Sequence, residues 1–186
     1  MAPMRMRVAA LACSVDGIGA TVERERYLDL LAGSVESPRM RLDMARMSSC
    51  ALVVRGLWRL LGCTHPILAR PYRIGRAMSD VVEIAQAAKA WRTPSAGDTP
   101  GVGDAVIVGV NPRLHVYVIT SGSTLDGATW HLESIDGGQG PGGTQIRARQ
   151  RRMAYEGKVL YDTLADGTRR PVYGWADCVA LLGAGE

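Results

Sequence analysis

The sequence predicts an α+β protein in which helices come first and antiparallel strands follow. Apolar residues recur with helical spacing up to about Trp91, whereas apolar and polar residues alternate along much of the chain from Asp104 onwards. A parallel sheet would instead alternate strands with helices along the chain. We therefore expect N-terminal helices that pack on an antiparallel β-sheet.

The beginning of the chain has the pattern of helices. From about Val8 to Leu31 the apolar spacing is mostly helical, with an interruption near Gly17–Gly19. Gly33 marks the predicted end of this stretch. Residues 34–48 form a charged connector rich in Arg and Met.

A buried helix is predicted from Cys50 to Leu61. Ser48 and Ser49 precede it as N-cap residues, and Gly62 follows it as a stop. A further helix is predicted from Ser79 to Trp91.

Strands are predicted after a loop at residues 93–104 that is rich in proline and glycine. Gly137–Gly143 is predicted as a glycine-rich turn, and residues 153–186 are expected to close the fold with a strand or a short helix. The predicted strands are Asp104–Val110, His115–Thr120, Trp130–Ile135 and Gln145–Arg151.

The 186 residues suit a single domain. We divide it into an N-terminal helical segment, residues 1–46, a core, residues 47–152, and a closing segment, residues 153–186. An apolar fraction of 47% and a charged fraction of 22% exclude a disordered chain, a collagen and a heptad rod. The net charge of +4 favours a polyanionic partner such as nucleic acid or cell wall.

No apolar run approaches the roughly 18 residues of a membrane span. Arg5 and Arg7 precede the apolar stretch Val8–Val15, which imitates a signal peptide but is short and continues into an amphipathic pattern. We expect a protein that is made in the cytoplasm with no cleaved leader. Its four widely spaced cysteines, with no CxxC pair, are expected to be reduced thiols.

Cys50 is the first candidate for a functional side chain. It lies in the first turn of a predicted helix, where unpaired N–H groups and the helix dipole stabilise an anion. This position lowers the pKa of a thiol and favours a nucleophilic thiolate, the more so beside an imidazolium. The alternative is a small core residue, since free cysteines are often buried.

His115 is the candidate partner of this thiol. It stands at the entry of a predicted strand, after a loop that contains Pro112, so its side chain lies at the rim of the sheet. A general base at the rim can reach a nucleophile on a facing helix. Taken alone, the same pattern also fits a surface histidine of no consequence.

A carboxylate should orient the imidazole, and the hairpin after His115 predicts where it lies. A four-residue turn at Thr124–Gly127 places Asp136 directly opposite His115. Such a carboxylate would accept the Nδ1 proton and hold the tautomer that can act as a base. Glu133 and His131 remain rivals, because a register slip of about two or three residues would bring them into this place.

Together these segments resemble the CHAP and NlpC-type branch of the papain-like cysteine amidases. The resemblance covers residues 45–152 and rests on Ser-Ser-Cys50-Ala-Leu-Val, Val-Gly-Asp104-Ala-Val-Ile and Leu-His115-Val-Tyr-Val. The family pattern is a cysteine at a helix start, a Pro-Gly-Asp turn into a strand, and Gly-His-Val at the start of the next. Ser-Ile-Asp136-Gly-Gly resembles the Glu-Gly-Asn variant of the segment that follows.

The sequence departs from the family pattern at a few positions. Val102 stands in place of the usual proline and Leu114 in place of the usual glycine. Gly138 occupies a place where members often carry asparagine, with Gln139 one step later. These departures leave the third and fourth catalytic positions open.

The resemblance implies a papain-like fold and hydrolysis of an amide bond. The Cys50 thiolate would attack the carbonyl, His115 would act as acid and base, and Asp136 would orient the histidine. Ser49, Gln139 and Arg147 are candidate substrate-binding residues. No cofactor is implied.

The relatives mostly cut peptidoglycan, so the implied substrate is peptidoglycan or another peptide amide. The implied place of action is the periplasm or cell wall, reached by phage lysis or a secretion apparatus. An exported toxin of this kind would have an immunity protein as partner. A deamidase or transglutaminase-like toxin with the same Cys-His pair, or an inactive binding module, are the alternatives.

Gly137-Gly138-Gln139 also matches the peptidyl-tRNA hydrolysis signature of translation release factors, and arginines follow it. A hairpin turn, in which glycine supplies a positive φ, explains the same residues. We favour the turn and expect no nucleic-acid partner.

Two further patterns receive structural interpretations. Arg147, Arg149 and Arg151 share one face of a predicted strand, which is typical of a solvated face that protects an edge, with wall or phosphate binding as the alternative. Cys63 and His65 could join Cys50 or His115 around zinc, but no second Cys/His pair has zinc spacing. We therefore expect no metal.

Overall fold

The order of secondary structure along the chain confirms the α+β class. Helices occupy the N-terminal part, and antiparallel strands follow from residue 91. The structure, a computed structural model, describes residues 2–32, 50–70, 76–95, 98–110, 113–122 and 124–183. The predicted connector at 34–48, the serine N-cap at Ser48 and Ser49, and the stop at Gly33 lie outside these residues.

The helices lie close to their predicted places. The first predicted stretch is two helices, and Gly62 ends the third with a φ of 89°, a left-handed value that favours glycine. The helices are α1 Met4–Cys13, α2 Arg24–Ala32, α3 Cys50–Leu60, α4 Ala77–Ala87 and α5 Cys178–Leu182, with 3₁₀ segments at Pro66–Ala69 and Pro141–Gly143.

The strands extend further than the sequence predicts. The strand that begins at Thr129 continues through Gln139, so the glycine turn is shorter than predicted. In the closing segment, two strands and a helix follow Glu156. The strands are β1 Trp91–Arg92, β2 Ala105–Val110, β3 Arg113–Ile119, β4 Thr124–Asp126, β5 Thr129–Gln139, β6 Gln145–Glu156, β7 Val159–Leu164 and β8 Arg169–Ala176.

Six of these strands close into an antiparallel barrel. The order around the barrel is β2, β3, β5, β6, β7 and β8, and β8 pairs with both β7 and β2. β1 adds to β8, and β4 adds to β5. Closure pairs the strand edges and gives every strand an inner and an outer face.

The barrel divides the apolar core into two clusters. Val106 and Val108 of β2 point into the barrel, where they pack with Tyr117 and Trp175. Ile107, between them, belongs to the outer cluster that the helices cover. β2 is therefore buried on both faces, which explains its uninterrupted apolar sequence.

Close packing against α2 sets the position of α3. A Cβ atom at Gly56 would lie 2.0 Å from the carbonyl oxygen of Leu30, so the two helices cross too closely there for any other residue. Leu52 and Leu57 of α3 are fully buried in the outer cluster. This packing places the N-terminal end of α3, with Cys50, at a defined point on the barrel.

The turn after β3 lies elsewhere than predicted. Thr124–Asp126 is strand β4, and Asp126 pairs with Thr129. The predicted turn at Thr124–Gly127 is therefore wrong, because the chain leaves the β3–β5 ladder earlier and makes a shorter turn at its tip.

The register between β3 and β5 changes accordingly. Asp136 pairs with Tyr117 and not with His115, which is two residues away along β3. A shift of two residues keeps side chains on the same face, so Asp136 becomes a diagonal neighbour of His115.

The arginine row on β6 is only partly solvated. Arg147 and Arg149 are exposed, as expected for a solvated face, but Arg151 is only 3% exposed. β7 pairs with β6 from Arg151 onwards, so the barrel closes over this side chain. The prediction of a solvated face is wrong for Arg151.

Asp104, at the turn into β2, connects α1, the turn and α5. Its Oδ1 accepts hydrogen bonds from Arg5 Nη1 at 2.8 Å and from the Cys178 backbone N–H at 3.1 Å. Its Oδ2 accepts the Gly101 backbone N–H at 2.8 Å. Burial of an acceptor with this many donors makes it a structural anchor.

We expect Asp104→Ala to lower the free energy of unfolding by roughly 2 to 3 kcal/mol, because three donors, the buried Cys178 N–H among them, lose their acceptor. Chemical denaturation measures the change. Glu83→Ala, which removes an exposed carboxylate from α4, is the control and should change stability little. Equal stability of the two variants would contradict the anchoring role of Asp104.

Candidate active site

Cys50 lies in the first turn of α3, at the edge of the outer cluster. It is 9% exposed, so the sulfur is at the margin of the core. Burial raises the pKa of its thiol, but the pKa is lowered first by a hydrogen bond and the charge of the His115 side chain, and then by hydrogen bonds with the backbone of Val116 and Ala51. The thiol therefore lies between a helix N-terminus and the rim of the barrel.

His115 bridges this thiol and the barrel interior. Its Nε2 lies 2.8 Å from Oδ2 of Asp136, which leaves Nδ1 for Cys50. The prediction that the carboxylate takes the Nδ1 proton is wrong, since the ring turns Nε2 towards Asp136. The imidazole side chain is 16% exposed, so solvent can reach the ring from the rim.

Asp136 is fixed by several donors. Its Oδ1 accepts the Ser134 hydroxyl at 2.7 Å. Its Oδ2 accepts a hydrogen bond from Arg151 Nη2 besides the contact with His115. With only 1% of its surface exposed, this carboxylate depends on these partners to remain charged.

The surroundings favour a thiolate and an imidazolium. Burial raises the pKa of the Cys50 thiol, but the hydrogen bond and charge of His115 outweigh it, so the pKa lies below its usual value. Burial lowers the pKa of His115, but its hydrogen bonds to Asp136 and Cys50 leave the pKa above its usual value.

The pKa of Asp136 completes the arrangement. Burial raises it, but the hydrogen bond from His115 and the charge of Arg151 hold the pKa below its usual value. A charged Asp136 stabilises a protonated His115, which in turn stabilises a charged thiolate. The three groups can thus provide a nucleophile, an acid-base group and an orienting carboxylate.

Comparison with Cys178 shows that the lowered pKa of Cys50 comes from its surroundings and is not a general property of the cysteines in this protein. Burial, followed by the nearby charge of Asp104, raises the pKa of the Cys178 thiol to about 12. The two thiols, both in the first turn of a helix, therefore have opposite shifts, and only Cys50 has an imidazole against it.

The two rivals of Asp136 do not face His115. Glu133 and His131 are exposed, and they alternate along β5 with Leu132 and Ser134, which point inwards. Both rivals line a cavity of about 570 Å³, together with Ser121 and Arg152. The structure therefore brings Asp136, and neither rival, against the imidazole.

The candidate substrate-binding residues have local contacts. Ser49 lies outside the described residues. Gln139 accepts a hydrogen bond from Arg149 at 2.7 Å, and Arg147 donates to Gln145. Their role in substrate binding stays a prediction.

Sequence reasoning missed the residues that support Asp136 from inside the barrel. Ser134 and Arg151 hold the carboxylate, and Arg151 in turn pairs with Asp162 and lies 3.7 Å above the ring of Tyr117. The sequence carries no clear signal for them, because an arginine on an alternating strand usually points to water.

Within the described parts of the chain, no three His, Cys, Asp or Glu side chains are grouped so that they could hold a metal ion. His65, a member of the zinc arrangement considered from the sequence, uses Nδ1 to accept the backbone N–H of Ile67 at 3.3 Å. It acts there as the cap of a 3₁₀ segment.

Comparison with protein-family models, curated proteins and solved structures finds no match for this chain. Among its described helices, none has the length and apolar character needed to cross a membrane.

We expect Cys50 to be alkylated faster than an ordinary thiol at neutral pH, because its pKa lies below the usual value. His115→Ala should raise that pKa and slow the reaction near neutral pH about tenfold or more. Iodoacetamide labelling across pH, read at each cysteine by mass spectrometry, measures this. Cys178 should stay unlabelled up to high pH, and equal profiles for wild type and variant would refute the pairing.

We expect Asp136→Asn to lower the pKa of His115, because the imidazolium loses its carboxylate. Titration of the imidazole signals by NMR, with His115→Ala to assign them, measures the change. Glu133→Gln removes a carboxylate from the opposite face of the same strand and is the matched control. The assignment fails if Glu133→Gln shifts the His115 signal as much as Asp136→Asn does.

Proposed function

We propose that the protein is a cysteine amidohydrolase that cleaves an amide bond in bacterial peptidoglycan. The observation that carries the proposal is the contact series from Cys50 through His115 to Asp136, with the thiol at a helix N-terminus. It supplies the three functions that amide hydrolysis by a thiol requires.

The reaction follows from the protonation states that the site favours. The Cys50 thiolate attacks the amide carbonyl carbon, and a tetrahedral intermediate forms. His115, protonated at both nitrogens, gives the Nδ1 proton to the leaving amine, and an acyl-enzyme remains. His115 then takes a proton from water, the resulting hydroxide equivalent attacks the thioester, and the free thiolate returns.

The backbone at the start of α3 is suited to the negative charge of the intermediate. The first N–H groups of a helix have no partner within the helix, and the helix dipole adds positive potential there. Such groups can stabilise the developing oxyanion beside the nucleophile.

The fold proposal is a papain-like arrangement of the NlpC and CHAP type. In support, the nucleophile comes from a helix that packs on antiparallel strands, and the histidine and acid come from neighbouring strands β3 and β5. The sequence resemblance described above has these residues in the same order.

The net charge of +4 suits an anionic substrate such as cell wall. The proposed place of action is the periplasm or the wall, after delivery by phage lysis or a secretion apparatus. If the protein is an exported toxin, an immunity protein that covers the Cys50 site is the proposed partner.

The experiment is digestion of purified peptidoglycan with wild type and Cys50→Ala, followed by mass spectrometry of the fragments. We expect fragments from wild type, none from Cys50→Ala, and full activity in Cys63→Ala, because Cys63 lies outside the contact series. The new termini of the released fragments identify the bond that is cleaved.

Absence of fragments from folded wild type would overturn the wall substrate. Ammonia release from protein glutamines in the same preparation would then identify a deamidase with the same Cys-His pair. If neither reaction occurs and the Cys50 thiol has ordinary reactivity, the enzyme proposal fails and a binding module remains.

A further inference from the structure

Arg151 is a buried arginine in a barrel interior that is otherwise mostly apolar. Its side chain is 1% exposed, and its neighbours in the inner cluster include Leu132 and Met153. Removing a guanidinium from water is costly unless its donors are paired. Apolar side chains could fill the same space without that cost, so the contacts of Arg151 call for an explanation.

The donors of Arg151 reach several strands. Nη2 donates to Oδ2 of Asp136, and Nε donates to the Ser134 hydroxyl at 2.7 Å, both on β5. Nη1 donates to Oδ2 of Asp162 on β7 at 2.5 Å. The planar group also lies over the ring of Tyr117 on β3.

These contacts converge on the carboxylate that orients His115. Arg151 donates directly to Oδ2 of Asp136, and the Ser134 hydroxyl that accepts from Arg151 donates its own hydrogen bond to Oδ1. Both oxygens of Asp136 are therefore held by one side chain, once directly and once through the serine.

We propose that Arg151 is a positioning residue that holds the Asp136 carboxylate against His115 and so supports the Cys50 thiolate from inside the barrel. This inference rests on the proposed function of the Cys50 site. Arg151 itself does not contact the reacting atoms. It acts through Asp136 and His115.

The shape of the guanidinium explains why arginine is used. Its donors form a rigid planar fork, which reaches Asp136, Ser134 and Asp162 from one position. Lysine carries the same charge on a single flexible ammonium and cannot hold all three acceptors in this geometry. The inference thus concerns geometry as well as charge.

The charges around Asp136 determine the direction of the effect. Without the fork, Asp136 faces the second buried carboxylate, Asp162, and either takes up a proton or turns away from the imidazole. Both changes weaken the imidazolium and thus the thiolate. The titratable and charged groups that face Asp136 are His115 and Tyr117 on β3, Arg151 on β6 and Asp162 on β7. Cys50 on α3 faces His115, and Arg170 on β8 pairs with Asp162.

The test compares Arg151→Lys with wild type in the full chain, with the alkylation profile of Cys50 across pH and the NMR titration of His115 as readouts. We expect the alkylation rate on the acidic side of the profile to fall about tenfold, with the His115 titration moved to lower pH. An unchanged profile in folded Arg151→Lys would overturn the inference.

Arg55→Lys is the matched control. Arg55 is also buried, on the same helix as Cys50, but its partners are Asp80, 3.0 Å away, and the Ile67 carbonyl. We expect it to lower stability and leave the Cys50 profile within about twofold of wild type. If both variants shift the Cys50 alkylation profile equally, a general loss of stability causes the shift, and the positioning role of Arg151 fails.

Ser134→Ala keeps the inference testable if Arg151→Lys does not fold. It removes one neutral hydrogen bond from Asp136 and should slow alkylation a few-fold in the same direction. An unchanged profile in this variant would then overturn the inference. If the wild-type Cys50 thiol itself reacts as an ordinary thiol, the proposed function has failed, which is a separate result from failure of the Arg151 role.

Discussion

The rest of the site depends on the hydrogen bonds that the Asp136 carboxylate makes to its neighbours. It is buried, and its oxygens are divided between His115, Ser134 and Arg151. A buried carboxylate keeps its charge only with such partners, and its charge in turn supports the imidazolium. The polar cluster inside the barrel and the thiol outside it are therefore joined through Asp136 and His115.

The location of the site follows from the two apolar clusters. Cys50 belongs to the outer cluster between the helices and the barrel wall, whereas Asp136 lies among inward-facing residues. His115 stands at the start of β3, where the inner face meets the rim, and reaches both. A histidine that reaches both sides of the barrel wall lies at this end of the strand, because a central position would bury the ring away from solvent.

Much of this arrangement could be predicted from local sequence. The α+β order, the helix with Cys50 in its first turn, the strand that carries His115 and the choice of Asp136 all rest on patterns of a few residues. Asp136 was found despite an incorrect register, because a shift of two residues preserves the face of a strand. The same alternation places the rivals Glu133 and His131 on the other face of β5, away from His115.

The sequence by itself determined that a cysteine, a histidine and an aspartate are the candidate site residues and on which element each lies, since periodicity and helix ends are local properties. Only the tertiary structure decided that β7 and β8 close a barrel, that Arg151 is inside it, and which imidazole nitrogen meets Asp136. These features depend on contacts between residues far apart in the chain. No short pattern records them, because an arginine on a strand has the same neighbours in sequence whether it faces water or a buried carboxylate.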